Sequence, residues 1–353
     1  MDFFLNGQAN GAVATTLLNN NFDVAALRPW VGKDGRHYIA RNDNGKSVSV
    51  PLMNQTALLR RDEWKQIDDS VMIAARERLR LVSDLRSAGL TYTIPNGMGK
   101  TVLESQTMGD ITPATISMDP ARISEGDRPD FGIVNLPLPV IHKDFYFNAR
   151  QVATSRNTGA PVDTTTAQLA ARRVAEEAER LTLGIAPTFN YAGGTVYGFT
   201  NFPQRITVEL TAPDANDWTP KTLLQELLRM RQHSVDNLHF GPWVLYVSPA
   251  WDLYLDDDYS DEKGDNTLRQ RLGALNGISD IRTADFLTGF QMVLVQMTSD
   301  VVRLVLGMDI TTLQWETLGG MRLNFKVMAI IVPQLRAATD GETAGIIHGA
   351  VPE

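Results

Sequence analysis

The sequence predicts an α+β chain of two interrupted domains, and three observations carry that prediction. An unbroken helical pattern runs from Asp163 to Leu183, short strands alternate with short helices between residues 219 and 300, and strand patterns return from Val301 onward. A length of 353 residues fits about two domains, and a 43% hydrophobic content is enough for a sizeable core.

The long helix follows from its residues. Asp163 or Thr164 can supply an N-cap oxygen, and Gly184 is placed to end the helix in a left-handed conformation. Leu169, Val174, Ala178 and Leu181 recur near helical spacing as an apolar stripe, while Arg172, Arg173, Glu176, Glu177 and Arg180 cover the remaining circumference. Arg172 with Glu176, Arg173 with Glu177 and Glu176 with Arg180 are opposite charges one turn apart, each worth a few tenths of a kcal/mol. At 1.5 Å per residue the helix spans roughly 30 Å.

Residues 1–54 read as an arm. Arg36–Arg41 and Lys46–Leu52 are strands around Asn42-Asp43-Asn44-Gly45, a reversal that favours a hairpin. An isolated hairpin is marginal in water, so the polar first fifty residues are expected to be ordered by something outside the chain. From Arg61 to Ala88 one helix is predicted, with Trp64, Ile67, Val71, Ala74, Ala75, Leu79 and Val82 on its apolar face and Gly89 as its stop. Residues 90–135 lose that period, with strand fragments at Thr91–Ile94 and Thr101–Glu104. An excursion this long needs another surface to pack on. Leu136–Asn148 reads as extended.

Beyond the long helix, Thr219 is a good N-cap with Pro220 at the first helical position and Leu223, Leu224, Leu227 and Leu228 as the apolar face. Trp243–Val247 and Gln291–Gln296 are buried-strand candidates, and Pro249–Leu255 and Thr267–Leu275 are short helices.

Composition excludes several functions. A net charge of -8 and a pI near 5.2 speak against a dedicated nucleic-acid binder, which needs a Lys/Arg surplus, although a shell that only encloses DNA does not. With no cysteine there is no disulfide framework, thiolate zinc site or cysteine nucleophile. The opening MDFFLNGQANG lacks a basic n-region followed by an apolar core, and no apolar run reaches membrane-spanning length. The expectation is a soluble chain, with the sequon Asn54-Gln55-Thr56 a chance match.

Motifs for chemistry are weak. Gly97-Met98-Gly99-Lys100-Thr101 approaches a phosphate loop, but the required earlier glycine is Ile94, so an ordinary turn with an exposed Lys100 amine is expected. The five histidines form no HExxH pair; His233 and His239 fall on different faces at the end of one helix. Asp256, Asp257 and Asp258, with Asp261, Glu262 and Asp265, are weak candidates for a hard cation, because their spacing is not that of a twelve-residue calcium loop. A solvated acidic loop is the simpler reading. Phe145, Tyr146 and Phe147 fit alternating strand burial better than base stacking. There is no G-x-S-x-G elbow. No motif supports catalysis, and no cofactor is expected.

Several stretches, in order, resemble the major capsid proteins of tailed bacteriophages that share the Hong Kong 97 fold and are related to encapsulins. They are DEWKQIDDSVMIAARERL, LPLPVIHKDFYFNARQV, VYGFTNFP, TLRQRLGALNGISDI, VLVQMTSDVVRLVLGMDITTLQWE and GIIHG, spread over residues 55–349. The resemblance implies an N-arm at 1–54 and a first P-domain helix at 55–89. It further implies an E-loop at 90–135, a P-domain at 136–218 with its spine helix at 163–183, an A-domain at 219–300, and returning P-domain strands and C-terminus at 301–353.

The same resemblance implies assembly with copies of itself as hexamers and pentamers, in a virion head built in the host bacterial cytoplasm. Double-stranded DNA would be enclosed without sequence-specific binding and no membrane would be engaged. Portal, scaffolding and cement or decoration proteins are further candidate partners. Candidate subunit-assembly residues are Lys100, Arg122, Arg128, Arg172, Arg173, Glu176, Glu177 and Arg180. Some relatives cross-link an E-loop lysine to a neighbouring asparagine, but here no asparagine partner for Lys100 can be named. No charged helical segment precedes the arm, so a fused scaffolding domain is not expected. An encapsulin-like compartment enclosing cargo enzymes is the alternative, and the length of the arm favours the virion.

Overall fold

The computed structural model describes residues 28–32, 34, 36–43, 46–51, 59–76, 79–108, 114, 116–119, 128, 131–158, 164–213, 218–258, 266–318, 321–337 and 345–352. The chain opens with β1 (Trp30–Val31), β2 (His37–Asp43) and β3 (Lys46–Pro51), an antiparallel sheet in that order. The expected hairpin is present, although its Asn44-Gly45 turn and the sequon lie outside the described residues, as do residues 1–27. The base of the sheet, from Arg28 to Val31, is held by the chain itself rather than by an outside surface. Trp64 Nε1 donates to the Pro29 carbonyl at 2.9 Å, Val31 N–H donates to Leu59 O at 2.8 Å, and Arg28 pairs with Asp68 at 2.5 Å while lying over the Trp64 ring.

Where one helix to Ala88 is predicted there are two, α1 (Arg61–Arg76) and α2 (Arg80–Ser87). Leu79 leaves the helical region with φ −90° and ψ 67°, and a separate helix starts after it. Next come β4 (Thr91–Thr93), β5 (Val102–Met108), β6 (Phe131–Pro137), β7 (Ile141–Asn148), α3 (Ala149–Thr158) and α4 (Thr165–Leu183). Gly184 ends α4 with φ 88° as predicted. Thr164 is helical at φ −88° and makes no side-chain cap, contrary to expectation, and Asp163 lies outside the described residues.

The stripe on α4 also differs from the prediction. Leu169 is 55% exposed, while Ala167, Ala170, Ala171, Val174, Ala175 and Ala178 are buried. Small residues line the inner face because α4 packs closely on α1 and on the sheet behind it.

The remaining elements are β8 (Phe189–Tyr191), β9 (Gly194–Val196), β10 (Ile206–Glu209), α5 (Pro220–Asp236), β11 (Trp243–Val247), α6 (Pro249–Leu255), α7 (Leu268–Gly273), β12 (Ile278–Thr283), β13 (Gln291–Gln296), β14 (Val302–Thr317), β15 (Arg322–Leu335) and β16 (Ile346–Ala350). Thr219 caps α5 with a reciprocal hydrogen bond to Thr222, as its sequence suggests, but Leu228 is on the exposed side.

Two sheets organise the molecule. A four-stranded sheet in the order β4-β14-β15-β7 is buried on both faces along its central strands β14 and β15. Phe325, Val327, Ala329 and Ile331 face the helices, with Phe145 and Phe147 against Phe325 at ring distances of 5.0 and 5.4 Å; Met328, Ile330 and Val332 face a second layer with Ile94, Leu136 and Leu138. The alternation read at Phe145, Tyr146 and Phe147 holds, since Tyr146 is half exposed.

The other sheet runs β10-β16-β13-β11-β12 and carries its own core, with Leu223, Leu227, Leu245, Val247, Trp251, Leu268 and Leu272. It reaches beyond residues 219–300 and takes β10 and β16 from either side of that block. At the sheet–loop boundary a Cβ on Gly97 would lie 2.4 Å from the Gly307 Cα. Gly97 is therefore fixed by the close approach of two backbones beside the irregular register of β14, a stronger constraint than an ordinary turn.

Candidate assembly surfaces

The joint between the two sheet-bearing lobes is built around α2. Its first turn has no cap from its own segment; instead Glu179, on α4, accepts the N–H groups of Leu81 at 2.5 Å and Val82 at 3.3 Å. Burial of Glu179, 3% exposed, pushes its carboxyl up to about 8 despite those two donors. One turn on, Asp84 accepts the Tyr246 hydroxyl at 3.1 Å and pairs with Arg282, both from the second lobe. Burial raises the Asp84 carboxyl, the arginine and tyrosine offsetting only part of that, and burial beside Asp84 raises the Tyr246 hydroxyl well above its usual range. Arg80 pairs with Asp285 at 3.0 Å, and Arg86 pairs with Asp309. A helix of eight residues thus ties α4, β11, β12 and β14 together.

An exposed apolar surface lies on the ribbon of β5 and β6, paired antiparallel from Val102↔Pro137 to Met108↔Phe131. Phe131, Ile133 and Val134 are 64%, 70% and 50% exposed. The ribbon's base is held: Asn135 Nδ2 donates to the Ala192 carbonyl at 3.3 Å, and a Cβ on Gly194 would meet the Asn135 carbonyl at 2.1 Å. A groove of about 560 Å³ opens between this ribbon, the β8–β9 hairpin and the end of β15. Beyond the ribbon Ile116 and Met118 are fully exposed. Phe131 and Ile133 share one face of the two-stranded ribbon and Val134 stands on the other, so both faces carry exposed apolar side chains that their own chain leaves open to solvent among the described residues.

The candidate residues do not gather at one place. Lys100 is exposed at the ribbon's foot, Arg128 is exposed near its far end, and Arg122 lies outside the described residues. On α4, Arg172 and Arg173 both hold Glu176, at 2.7 and 2.9 Å. This replaces the predicted Arg173–Glu177 and Glu176–Arg180 pairs. Glu176 is buried rather than solvent-covering; burial alone would raise its carboxyl, but the two arginines hold it below the usual value. Arg180 is exposed and Glu177 partly so.

In the acidic loop Asp256 is taken by Arg269 at 3.1 Å, and Arg269 also pairs with Asp252. Asp258 bridges to Thr267, while Asp261, Glu262 and Asp265 lie outside the described residues. Among the described residues no group of three or more His, Asp or Glu is placed to hold a metal. His239 lies beyond the C-cap of α5, off the helix that carries His233.

Sequence reasoning missed Glu179, Asp84 and Arg282. The signal available was a glutamate at 179 on the inner side of a predicted amphipathic helix, where a carboxylate needs donors.

The family of unknown function DUF6260 matches residues 54–348. The chain belongs to that family. This DUF6260 member is also 25% identical over 198 residues to the type 1 encapsulin shell protein EncA of Myxococcus xanthus, a match covering 54% of this chain and 61% of that relative's length.

Two solved structures share its fold. The virus-like particle from Pyrococcus furiosus superposes with a TM-score of 0.57 at 15% identity, over 81% of this chain and 98% of the other. The capsid of Myoviridae phage XM1 superposes with a TM-score of 0.58 at 6% identity, over 75% and 90%. The DUF6260 chain therefore has the Hong Kong 97 type fold of capsid-like shell proteins, as the resemblance implied. No helix among the described residues is long and apolar enough to cross a membrane.

Proposed function

We propose that this chain is the major capsid protein of a tailed-phage type head, assembling as hexamers and pentamers around double-stranded DNA. The observation that carries this reading is the β5–β6 ribbon, whose Phe131, Ile133 and Val134 are left bare while the central strands β11, β13, β14 and β15 are well buried. A soluble monomer gains nothing from such a surface, whereas a closed symmetric shell covers it once per subunit. In this reading residues 90–135 are the E-loop, α4 is the spine helix of the P-domain, and residues 219–300 form most of the A-domain. Residues 1–54 form an arm whose base is anchored on α1. Arg172, Arg173 and Arg180 on the exposed side of α4, with Lys100, Arg122 and Arg128 on the loop, are the proposed intersubunit charges. The role is structural, with no chemistry assigned to any side chain, and the place of action is the virion.

The likeness to EncA favours a second reading, a compartment shell that encloses protein cargo. Negative-stain microscopy of the purified full chain tests both. Closed particles that carry nuclease-protected DNA support the capsid, closed particles with a stoichiometric co-purifying enzyme support the compartment, and a monodisperse monomer at every concentration overturns both.

A further inference from the structure

A second groove, of about 650 Å³, runs along the outer edge of the second sheet and is lined by Arg205, Thr207, Glu209, Arg229, His233 and His348 among others. Its geometry is set by register. Thr207 of β10 is the ladder partner of His348 on β16, so the two side chains stand next to each other on one face of the sheet. Arg205 and Glu209, two positions either side of Thr207, fall on that same face. Arg229 and His233, one turn apart on α5, reach the groove from beyond the sheet edge, because α5 packs with Val208 and Ile347 on the other face. β10 is also the edge strand, so its outer side offers backbone N–H groups that no neighbouring strand takes up among the described residues.

The charges in this groove are unbalanced. Arg205 is partly buried and donates from one terminal nitrogen to the Phe202 carbonyl at 2.8 Å, but its Nε is buried without a partner. Burial lowers the Arg205 pKa, with no carboxylate opposing the shift. Burial, and then the positive charge of Arg205, depress His348 to about 4. Glu209 is the one carboxylate among the lining residues and is exposed. Two guanidinium groups, a hydroxyl and an imidazole around an open groove, on a chain of net charge -8, make a local cationic site of the kind that recognises tetrahedral oxyanions.

We infer that the Arg205–Arg229 groove binds a phosphate group, either a free phosphate or nucleotide or the backbone of a nucleic acid. Arg229 supplies charge and paired donors, Arg205 supplies charge and its remaining terminal N–H groups, and the Thr207 hydroxyl and the His348 ring flank the oxygens. The site is a property of the folded subunit and does not depend on whether shells form.

The test is a titration of the full chain with inorganic phosphate, following the histidine ring protons by NMR, with a His348→Gln variant identifying the signal. A bound anion stabilises the imidazolium, so His348 should titrate at a clearly higher pH in phosphate than in chloride at equal ionic strength. Arg229→Ala removes an exposed side chain without touching the core and should weaken binding by about tenfold or more, while Glu209→Gln removes the opposing charge and should tighten it. Displacement of phosphate by a short DNA duplex assigns the site to a nucleic-acid backbone, and displacement by ADP alone assigns it to a free nucleotide. A His348 titration unmoved by phosphate, or equal binding by wild type and Arg229→Ala, would overturn the inference.

Discussion

Glu179 on the long helix α4 caps α2, almost a hundred residues earlier in the chain, by accepting the N–H groups of Leu81 and Val82. The bond substitutes for a local cap at Leu79, which has none, and it stabilises the first turn of α2. Glu179→Ala leaves two buried donors without an acceptor, at a cost of about 1–3 kcal/mol. The expected outcome is a clear fall in Tm of the unassembled subunit, with hydrogen exchange first accelerating in residues 80–88.

The same carboxyl makes stability depend on pH with a defined sign. Its folded pKa of about 8 lies above its ordinary value of 4.5, so between those values the native state holds a proton that the unfolded chain has released. The contribution is complete below about 4.5 and is lost as pH rises through about 8. Glu179→Gln cannot ionise and retains one acceptor. Thermal melts from pH 6 to pH 9 should therefore fall for the wild-type subunit and run flatter for this variant; parallel curves would assign the alkaline loss to other groups.

Asp84 joins the lobes, and its two partners are not equivalent. The Tyr246 hydroxyl is buried, so Asp84→Ala strands it at a cost of about 1–3 kcal/mol. Arg282 is half exposed and water can take it back, but Arg282→Ala leaves the buried Asp84 carboxylate without its charge partner and should also cost about 1–3 kcal/mol. Destabilisation by both variants in denaturant melts checks the assignment, and limited proteolysis should cut Asp84→Ala at the lobe junction first.

These residues also mark the limit of what the sequence reveals. The span of α4, its stop at Gly184, the capped start of α5 at Thr219 and the strands Trp243–Val247 and Gln291–Gln296 were legible because each rests on local spacing or capping chemistry. The break between α1 and α2 was not, because local periodicity continues through it and the group that stabilises it is far away in sequence. Leu169 was misplaced for a related reason: a pattern weighted toward large residues misses a helix packed through alanines. The alanine stripe makes its own prediction. Ala175→Leu adds volume where α4 meets its neighbours and should cost about 1–3 kcal/mol, whereas Leu169→Ala should leave subunit stability nearly unchanged.

The exposed ribbon separates folding from assembly. Ile133 is 70% exposed and Phe131 64%, so a charge at either position meets water in the free subunit and should change its Tm little. In a shell the same side chain would be buried against a neighbour, where an unpaired ammonium costs several kcal/mol at every copy of the contact. Ile133→Lys is therefore expected to give a soluble subunit with wild-type circular dichroism and melting that fails to close particles by sedimentation and microscopy. Ile133→Val, which keeps the apolar contact, should restore them. Wild-type particle yield from Ile133→Lys would show that the ribbon faces solvent in the assembly, and would move the search for the intersubunit contact to the exposed side of α4.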